Sequence, residues 1–324
     1  MTMYQLSILD QSPVLEGDTP RDALLRTVEL AQFAEQQGYK RFWVSEHHQA
    51  TEVAGSSPEV LVSYILAKTN HIRVGSGGVM LSHYSPYKVA ENFNVLANLA
   101  PGRVDLGIGK APGGLPQATK ALQYNALSDT KDFPQRVEAL QRYVQGNGEI
   151  LAQPIPSIQP ELILLGGSVD SAKHAATLGI TYVFAQFINS DEAVLLEALQ
   201  SYKEISPKGN FAIGVAVIAA DTEEEAQRLA TDTDIYKVHV ENDRTYTLTS
   251  EETAERFGKE SGKKYTVERT KSPVIFGTVD KIREKFEQLH AAGVEEFILH
   301  NPIREHASRF RSIELLSPLQ LAVH

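Results

Sequence analysis

The sequence predicts an α/β protein, a (β/α)8 TIM barrel with insertions after its fourth and seventh strands. Short apolar runs alternate with amphipathic helical stretches along all 324 residues, and eight strand-helix steps can be counted. No composition break or linker divides them. A doubly wound open sheet is the competing arrangement, and eight uninterrupted steps favour closure. One domain spanning residues 1–324 follows, because barrels of this kind commonly reach that length.

Each element has a local cause. Leu6 to Leu9 reads as strand one, closed by Asp10 and Pro13. Thr19 and Pro20 open a helix over Arg21 to Gln37, with Leu24, Val28, Ala31 and Ala34 at helical spacing and a stop at Gly38. Phe42 to Ser45 is strand two. Ser57-Pro58 and Ser85-Pro86 start the next two helices, on either side of strand three, Arg73 to Met80. Pro101-Gly102 ends the third helix, and Val104 to Ile108 is strand four. Gly109 to Phe133 is too long for an ordinary connection and reads as a functional loop.

Pro134 to Val144, Val169 to Leu178 and Glu192 to Ile205 are helices interleaved with strands Leu162 to Leu165, Thr181 to Ala185 and Phe211 to Ala219. Thr222 with Glu225 has the spacing of a capping box, for a helix running towards Val240. Asn242 to Lys271 is charge-dense and poor in aliphatics, so it is expected to be a lid over the mouth or a solvated insertion. Order returns at Val274, with a helix over Thr278 to Ala292, strand eight at Phe297 to Leu299 and a closing helix over Arg304 to Leu316.

Composition narrows the function. There are 31 Lys and Arg against 41 Asp and Glu, a formal charge of -10, which argues against nucleic-acid and anionic-membrane surfaces. Any anion site must be local. With no cysteine, disulfides, thiolate nucleophiles and cysteine metal sites are all excluded. No signal-peptide pattern opens the chain and no apolar run is long enough to span a bilayer, so a cytoplasmic protein is expected.

Four stretches carry candidate chemistry. In R-F-W-V-S-E-H-H, an apolar strand ends in Glu46, His47 and His48. Alternation sends only one of the two imidazoles to the barrel mouth, and the spacing does not suit a metal site of the H-E-x-x-H kind. A mouth-facing histidine titrating near neutrality and oriented by a carboxylate is a natural acid or base; two structural histidines are the alternative. V-G-S-G-G-V-M-L, around Gly77 and Gly78, suggests a bulge or a close backbone approach to a ligand, or else tight helix packing. In L-G-I-G-K-A-P-G-G, Gly109, Gly113 and Gly114 permit unusual backbone while Lys110 offers a cation. In L-L-G-G-S-V-D-S, Gly166 and Gly167 lead onto a helix whose first turn presents Ser168, Ser171 and free N–H groups, an anion seat or a simple cap. Lys110 and Arg136 are expected nearby, which favours phosphate.

Taken together, F-W-V-S-E-H-H, I-R-V-G-S-G-G-V-M-L-S-H-Y-S-P, N-L-A-P-G-R-V-D-L-G-I-G-K, L-L-G-G-S and F-G-T-V-D-K-I-R resemble the bacterial luciferase-like flavin monooxygenases in order and spacing, from about Leu6 to Leu316. The resemblance implies a barrel that takes reduced FMN from a separate NAD(P)H-dependent flavin reductase and uses O2, through a flavin hydroperoxide, to oxygenate a small organic substrate. It implies acid/base work for His47 with Glu46 orienting it, a structural role for His48, and a cis peptide between Gly77 and Gly78 under the flavin ring. Ser168 and Ser171 match phosphate-binding hydroxyls, and Lys110 and Arg136 match basic phosphate ligands. Lysine at 110 replaces the family's arginine, keeping the charge without the bidentate fork.

Two positions depart from the luciferases: Gly109 replaces a reactive cysteine and Gly167 a glutamate, which argues against light emission but not against oxygenation. A homodimer through the helices of Ser57 to Thr69 and Ser85 to Leu99 is the further implication. A deazaflavin-dependent dehydrogenase on the same barrel and a non-catalytic flavin-binding protein are the alternative readings.

Overall fold

The computed structural model describes residues 4–124, 132–231, 233–243 and 245–319. Eight parallel strands close a barrel in the order β1 (Gln5–Asp10), β2 (Arg41–Val44), β3 (Arg73–Met80), β4 (Val104–Gly109), β5 (Glu161–Gly166), β6 (Thr181–Ala185), β7 (Phe211–Ala219) and β12 (Glu296–His300). Pairing of β6 with β7, and of β1 with β12, seals the ring. The helices α1 (Pro20–Gln36), α2 (Pro58–Leu66), α3 (Pro86–Leu99), α5 (Phe133–Val144), α6 (Val169–Leu178), α7 (Glu192–Ile205), α10 (Val279–Ala291) and α11 (His306–Leu316) alternate with the strands. Their starts follow the sequence signals: Thr19 and Asp22 form a reciprocal capping box on α1, and α6 stops at left-handed Gly179.

Strand alternation divides the side chains into two sets. Leu6, Ile8, Phe42, Val44, Leu106, Leu164, Tyr182 and Phe297 belong to the large core, which includes apolar residues of the outer helices. Leu9, Trp43, Ile163, Val183, Ala212 and Ile298, one from each of six strands, form a separate small core inside the barrel. The other two strands, β3 and β4, bring glycine to the inner wall. At Gly77 an added Cβ would lie 2.8 Å from the Leu9 side chain and 3.1 Å from Trp43, and at Gly107 it would lie 2.1 Å from the Ser76 carbonyl. The register of β3 against β4 shifts between Ser76 and Val79, the bulge anticipated for this glycine run.

Both insertions hold secondary structure that the sequence reading did not give them. The long loop after β4 contains α4 (Pro116–Leu122), while residues 125–131 of that loop lie outside the described residues. The helix expected to run towards Val240 stops early, as α8 (Glu223–Leu229). Thr222 accepts from the Glu225 N–H, but the Glu225 carboxylate binds Arg228 and does not complete the box. Asp234 to Val240 is instead strand β8, the middle of an antiparallel sheet with β9 (Thr245–Leu248) and β10 (Tyr265–Lys271). The alternating I-Y-K-V-H-V of β8 has the period of a strand, not of a helix.

The stretch 242–271 is therefore a folded unit. Helix α9 (Glu251–Glu260) packs on this sheet, and the core of Val238, Val240, Ala254 and Phe257 is completed by tyrosines 236, 246 and 265. Aromatic rings supply the apolar area that aliphatics do not. Leu115, from the loop after β4, enters the same core, Thr253 bonds Glu52 from the loop after β2, and Glu260 accepts from the Gln117 N–H. The unit thus rests on loops at the C-terminal end of the barrel. Its two ends meet where the Ser272 N–H donates to the Thr233 carbonyl at 2.8 Å, after which β11 (Val274–Gly277) pairs with the last residues of β7. Among the described residues no helix is long and apolar enough to cross a membrane.

Candidate active site

His47 leaves β2 in phase with Arg41 and Trp43 and so turns towards the barrel axis. Its N–H donates to the Gly55 carbonyl at 2.8 Å, and its Nδ1 lies 3.1 Å from Ser45 Oγ. Burial, helped by the neighbouring His48, pushes the His47 imidazole down to about 4, so it is neutral at physiological pH. That corrects the expectation of titration near neutrality: a group this buried loses the hydration that would stabilise its charge. The resting ring is therefore a base rather than an acid.

Glu46 is fully buried, and it does not hold His47. Its Oε1 receives His48 Nε2 and the Tyr84 hydroxyl, each at 2.7 Å, and its Oε2 accepts the Met80 N–H at 3.0 Å. Alternation throws neighbouring side chains to opposite faces, so the carboxylate and the His47 ring part as they leave the strand. His48 is anchored in turn: its N–H donates to the Gly113 carbonyl at 2.7 Å, and a Cβ at Gly114 would lie 2.4 Å from the His48 carbonyl. Gly113 itself has φ +65°, so this contact between the loops after β2 and β4 depends on both glycines.

The bond between Gly77 and Gly78 is a cis peptide, as the family resemblance implied. Beyond it on the inner wall lies Gly109, where an added Cβ would find nothing nearer than Met80 at 3.9 Å. Apart from Met80, the nearest group to Gly109, the wall of β3 and β4 is thus lined by glycine at the C-terminal end. Lys110 follows with an exposed side chain, while its carbonyl accepts from Ser82 Oγ.

At the end of β5, a Cβ at Gly166 would lie 2.5 Å from Ser171 Oγ, and at Gly167 it would lie 3.3 Å from Asn189 Cβ. Ser168 caps α6 by accepting from the Ser171 N–H, the two hydroxyls lie 2.9 Å apart, and Tyr182 supports Ser171 at 2.7 Å. The two serines form one polar cluster at a helix N-terminus, where the helix dipole favours an anion. Among the described residues no hydrogen bond links Arg136 to it. Its guanidinium is held by Asp132 and by the Tyr84 carbonyl at 3.1 Å, next to the Glu46 and His48 network.

His300, the last residue of β12, escaped the sequence reading. It ends an apolar strand, F-I-L-H, as His47 does, and burial pushes it too down to about 4. At the opposite end of the barrel, a cleft of about 410 Å3 is lined by Gln141, Gln159, Glu161, Leu178 and Thr181. Its carboxylate, Glu161, is already paired with Arg41 and Arg73, so the cleft offers no free charge.

The luciferase-like monooxygenase family matches residues 4–296, and the chain belongs to that family, whose members are flavin-dependent oxidoreductases. The chain is 42% identical to the N-acetyl-S-alkylcysteine monooxygenase of Bacillus subtilis (strain 168) over 99% of both chains. The crystal structure of apo-MsnO8 superposes with a TM-score of 0.81 at 34% identity, covering 98% of each chain. Two more distant structures share the barrel, both with a TM-score of 0.70, 98% of this chain and 99% of theirs covered: the oxygenating constituent of 3,6-diketocamphane monooxygenase of Pseudomonas putida in complex with FMN, at 18% identity, and an F420-dependent secondary alcohol dehydrogenase, at 14%.

Proposed function

We propose that the chain is the oxygenase of a two-component, FMN-dependent monooxygenase that acts on thioethers of the N-acetyl-S-alkylcysteine class. The observation that carries this reading is the glycine wall of Gly77, Gly78 and Gly109 with the neutral His47 beside it, on a chain 42% identical to a relative of that name. The residues fit FMN: a wall of glycines edged by Met80 accepts a planar ring, and the cluster of Ser168 and Ser171 on α6 suits a phosphate. When bound in reduced form, FMN supplies the activation of O2.

The chain's own residues divide the remaining work. Ser45 holds the His47 ring through Nδ1, which leaves Nε2 to take up and return a proton. Glu46, His48 and Tyr84 fix the loop that carries His47. The unit of β8, β9, α9 and β10 serves as the lid, excluding water while oxygen is transferred. A separate NAD(P)H-dependent reductase delivers the reduced flavin in the cytoplasm. The oxygenase pairs with a second copy through α2 and α3, where Val60 and Leu99 are 67% and 71% exposed beside the half-exposed Tyr64 and Val95.

The test is a coupled assay with reductase, NAD(P)H, FMN, O2 and a panel of thioethers, aldehydes, sulfonates and aromatic compounds, read by product mass. A thioether product gaining oxygen supports the reading. Hydride transfer to a deazaflavin without O2 uptake would replace it with the dehydrogenase, and flavin binding without turnover would leave a storage protein. Light scattering on Leu99→Glu reads the dimer: a monomeric variant beside a dimeric wild type is expected.

A further inference from the structure

His300 is a buried titratable group to which the reaction so far assigns nothing. It stands in phase with Glu296 and Ile298, so its ring enters the barrel from the inner face of β12. The Leu9 backbone hydrogen-bonds the ring and Nδ1 is sealed from solvent, so Nε2 is the nitrogen left to meet a ligand. The ring centroid is 6.2 Å from that of Phe187, whose own ring occupies the space above Gly214, where a Cβ would come within 2.8 Å.

The closed strand order fixes where these two side chains stand. In the ring of eight, β12 is four steps from β4 in either direction, so His300 lies across the mouth from the glycine wall of β3 and β4. Anything lying on that wall turns its outer face towards His300 and Phe187. His47, two strands from β12, is close enough for the two imidazoles to feel one another. A group bound at His300 therefore sits within reach of the proton-handling ring.

The geometry points to a substrate subsite in which His300 Nε2 hydrogen-bonds the substrate's amide and Phe187 packs against its alkyl chain. This rests on the thioether reading above. An amide satisfies either imidazole tautomer, donating N–H to a lone pair or accepting N–H at its carbonyl. A neutral ring suffices, and burial keeps this one neutral.

The deciding experiment uses the full chain with reductase, FMN and O2 on two matched thioethers, N-acetyl-S-benzylcysteine and 3-(benzylthio)propanoic acid, which lacks the acetamide. Wild type is expected to favour the amide in kcat/KM by about tenfold or more. His300→Phe should erase that preference through KM for the amide, leaving turnover of the other thioether and the FMN Kd, read by flavin fluorescence, within about twofold. His300→Gln, which places an amide near the position of Nε2, should recover part of the preference. A His300→Phe or His300→Gln enzyme that keeps the full preference, or a variant whose loss is in FMN affinity, overturns the subsite while the thioether reading stands. If FMN-loaded wild type oxygenates neither thioether, the substrate reading falls and the amide subsite falls with it.

Discussion

At the N-terminal end of the barrel, Lys40, Arg41 and Arg73 meet Asp105, Glu161 and Glu296, three cations against three anions. Asp105 also accepts the Trp43 indole N–H at 2.9 Å. At the C-terminal end the same strands deliver glycines and two imidazoles held neutral by burial. One end is closed by paired charge; the other is lined by glycine and neutral rings. Charge pairing is thus set apart from the glycine wall, as expected where stability and binding are divided between the two ends.

The comparison can be broken first at its stable end. Asp105→Ala leaves Arg41, Arg73 and Trp43 without their shared acceptor, and a loss of about 3–5 kcal/mol is expected in urea unfolding. A loss below about 1 kcal/mol would show that the floor is not what holds the barrel. The converse experiment is His47→Ala, for which turnover should fall by a factor on the order of 10²–10⁴ while the urea midpoint and FMN affinity hold. If instead the midpoint collapses, the histidine is structural.

Acid sharpens the contrast next. Unfolded histidines protonate near 6.5, whereas burial pushes His47 and His300 down to about 4. Below 6.5 the unfolded chain therefore binds more protons, and the stability these rings confer, complete above 6.5, is lost as pH falls towards 4. His300→Phe should flatten the urea midpoint between pH 6.5 and 5, and an unchanged slope would place the acid sensitivity elsewhere. The smallest effect belongs to Tyr84→Phe. It removes one of three bonds to the buried Glu46 carboxylate, so about 1.5 kcal/mol of stability should go, with product still formed.

The sequence was most informative where local chemistry and fold agree. The Pro and Thr starts and the Gly stops bounded the barrel helices because those signals act within one turn. That only one of the two imidazoles turns inward followed from alternation, while the family resemblance singled out His47; the bulge at Gly77 and Gly78 followed from glycine inside a strand. The partner of Glu46 did not follow, because Met80 and Tyr84 reach it across the fold from 34 and 38 residues away. Arg136 was expected at the serine cluster because charge and the family resemblance suggested it; its local pair with Asp132 was not foreseen. The helix expected towards Val240 was wrong because β8 alternates with the period of a strand and finds its partners in β9 and β10, further along the chain. His300 was legible by the logic that found His47, a titratable group closing an apolar strand, but it had no second titratable neighbour to mark it.

The hydrogen bond between Thr233 and Ser272 has a consequence for how such an enzyme diversifies. The chain leaves the barrel and returns to it at adjacent points, so everything between forms a cassette that could be exchanged or shortened to a tight turn without moving a barrel strand. Duplication, loss or recombination at this junction would alter what roofs the mouth while leaving His47, the glycine wall and the serine cluster in register. Selection can thus explore new substrates at one peptide junction, without renegotiating the fold.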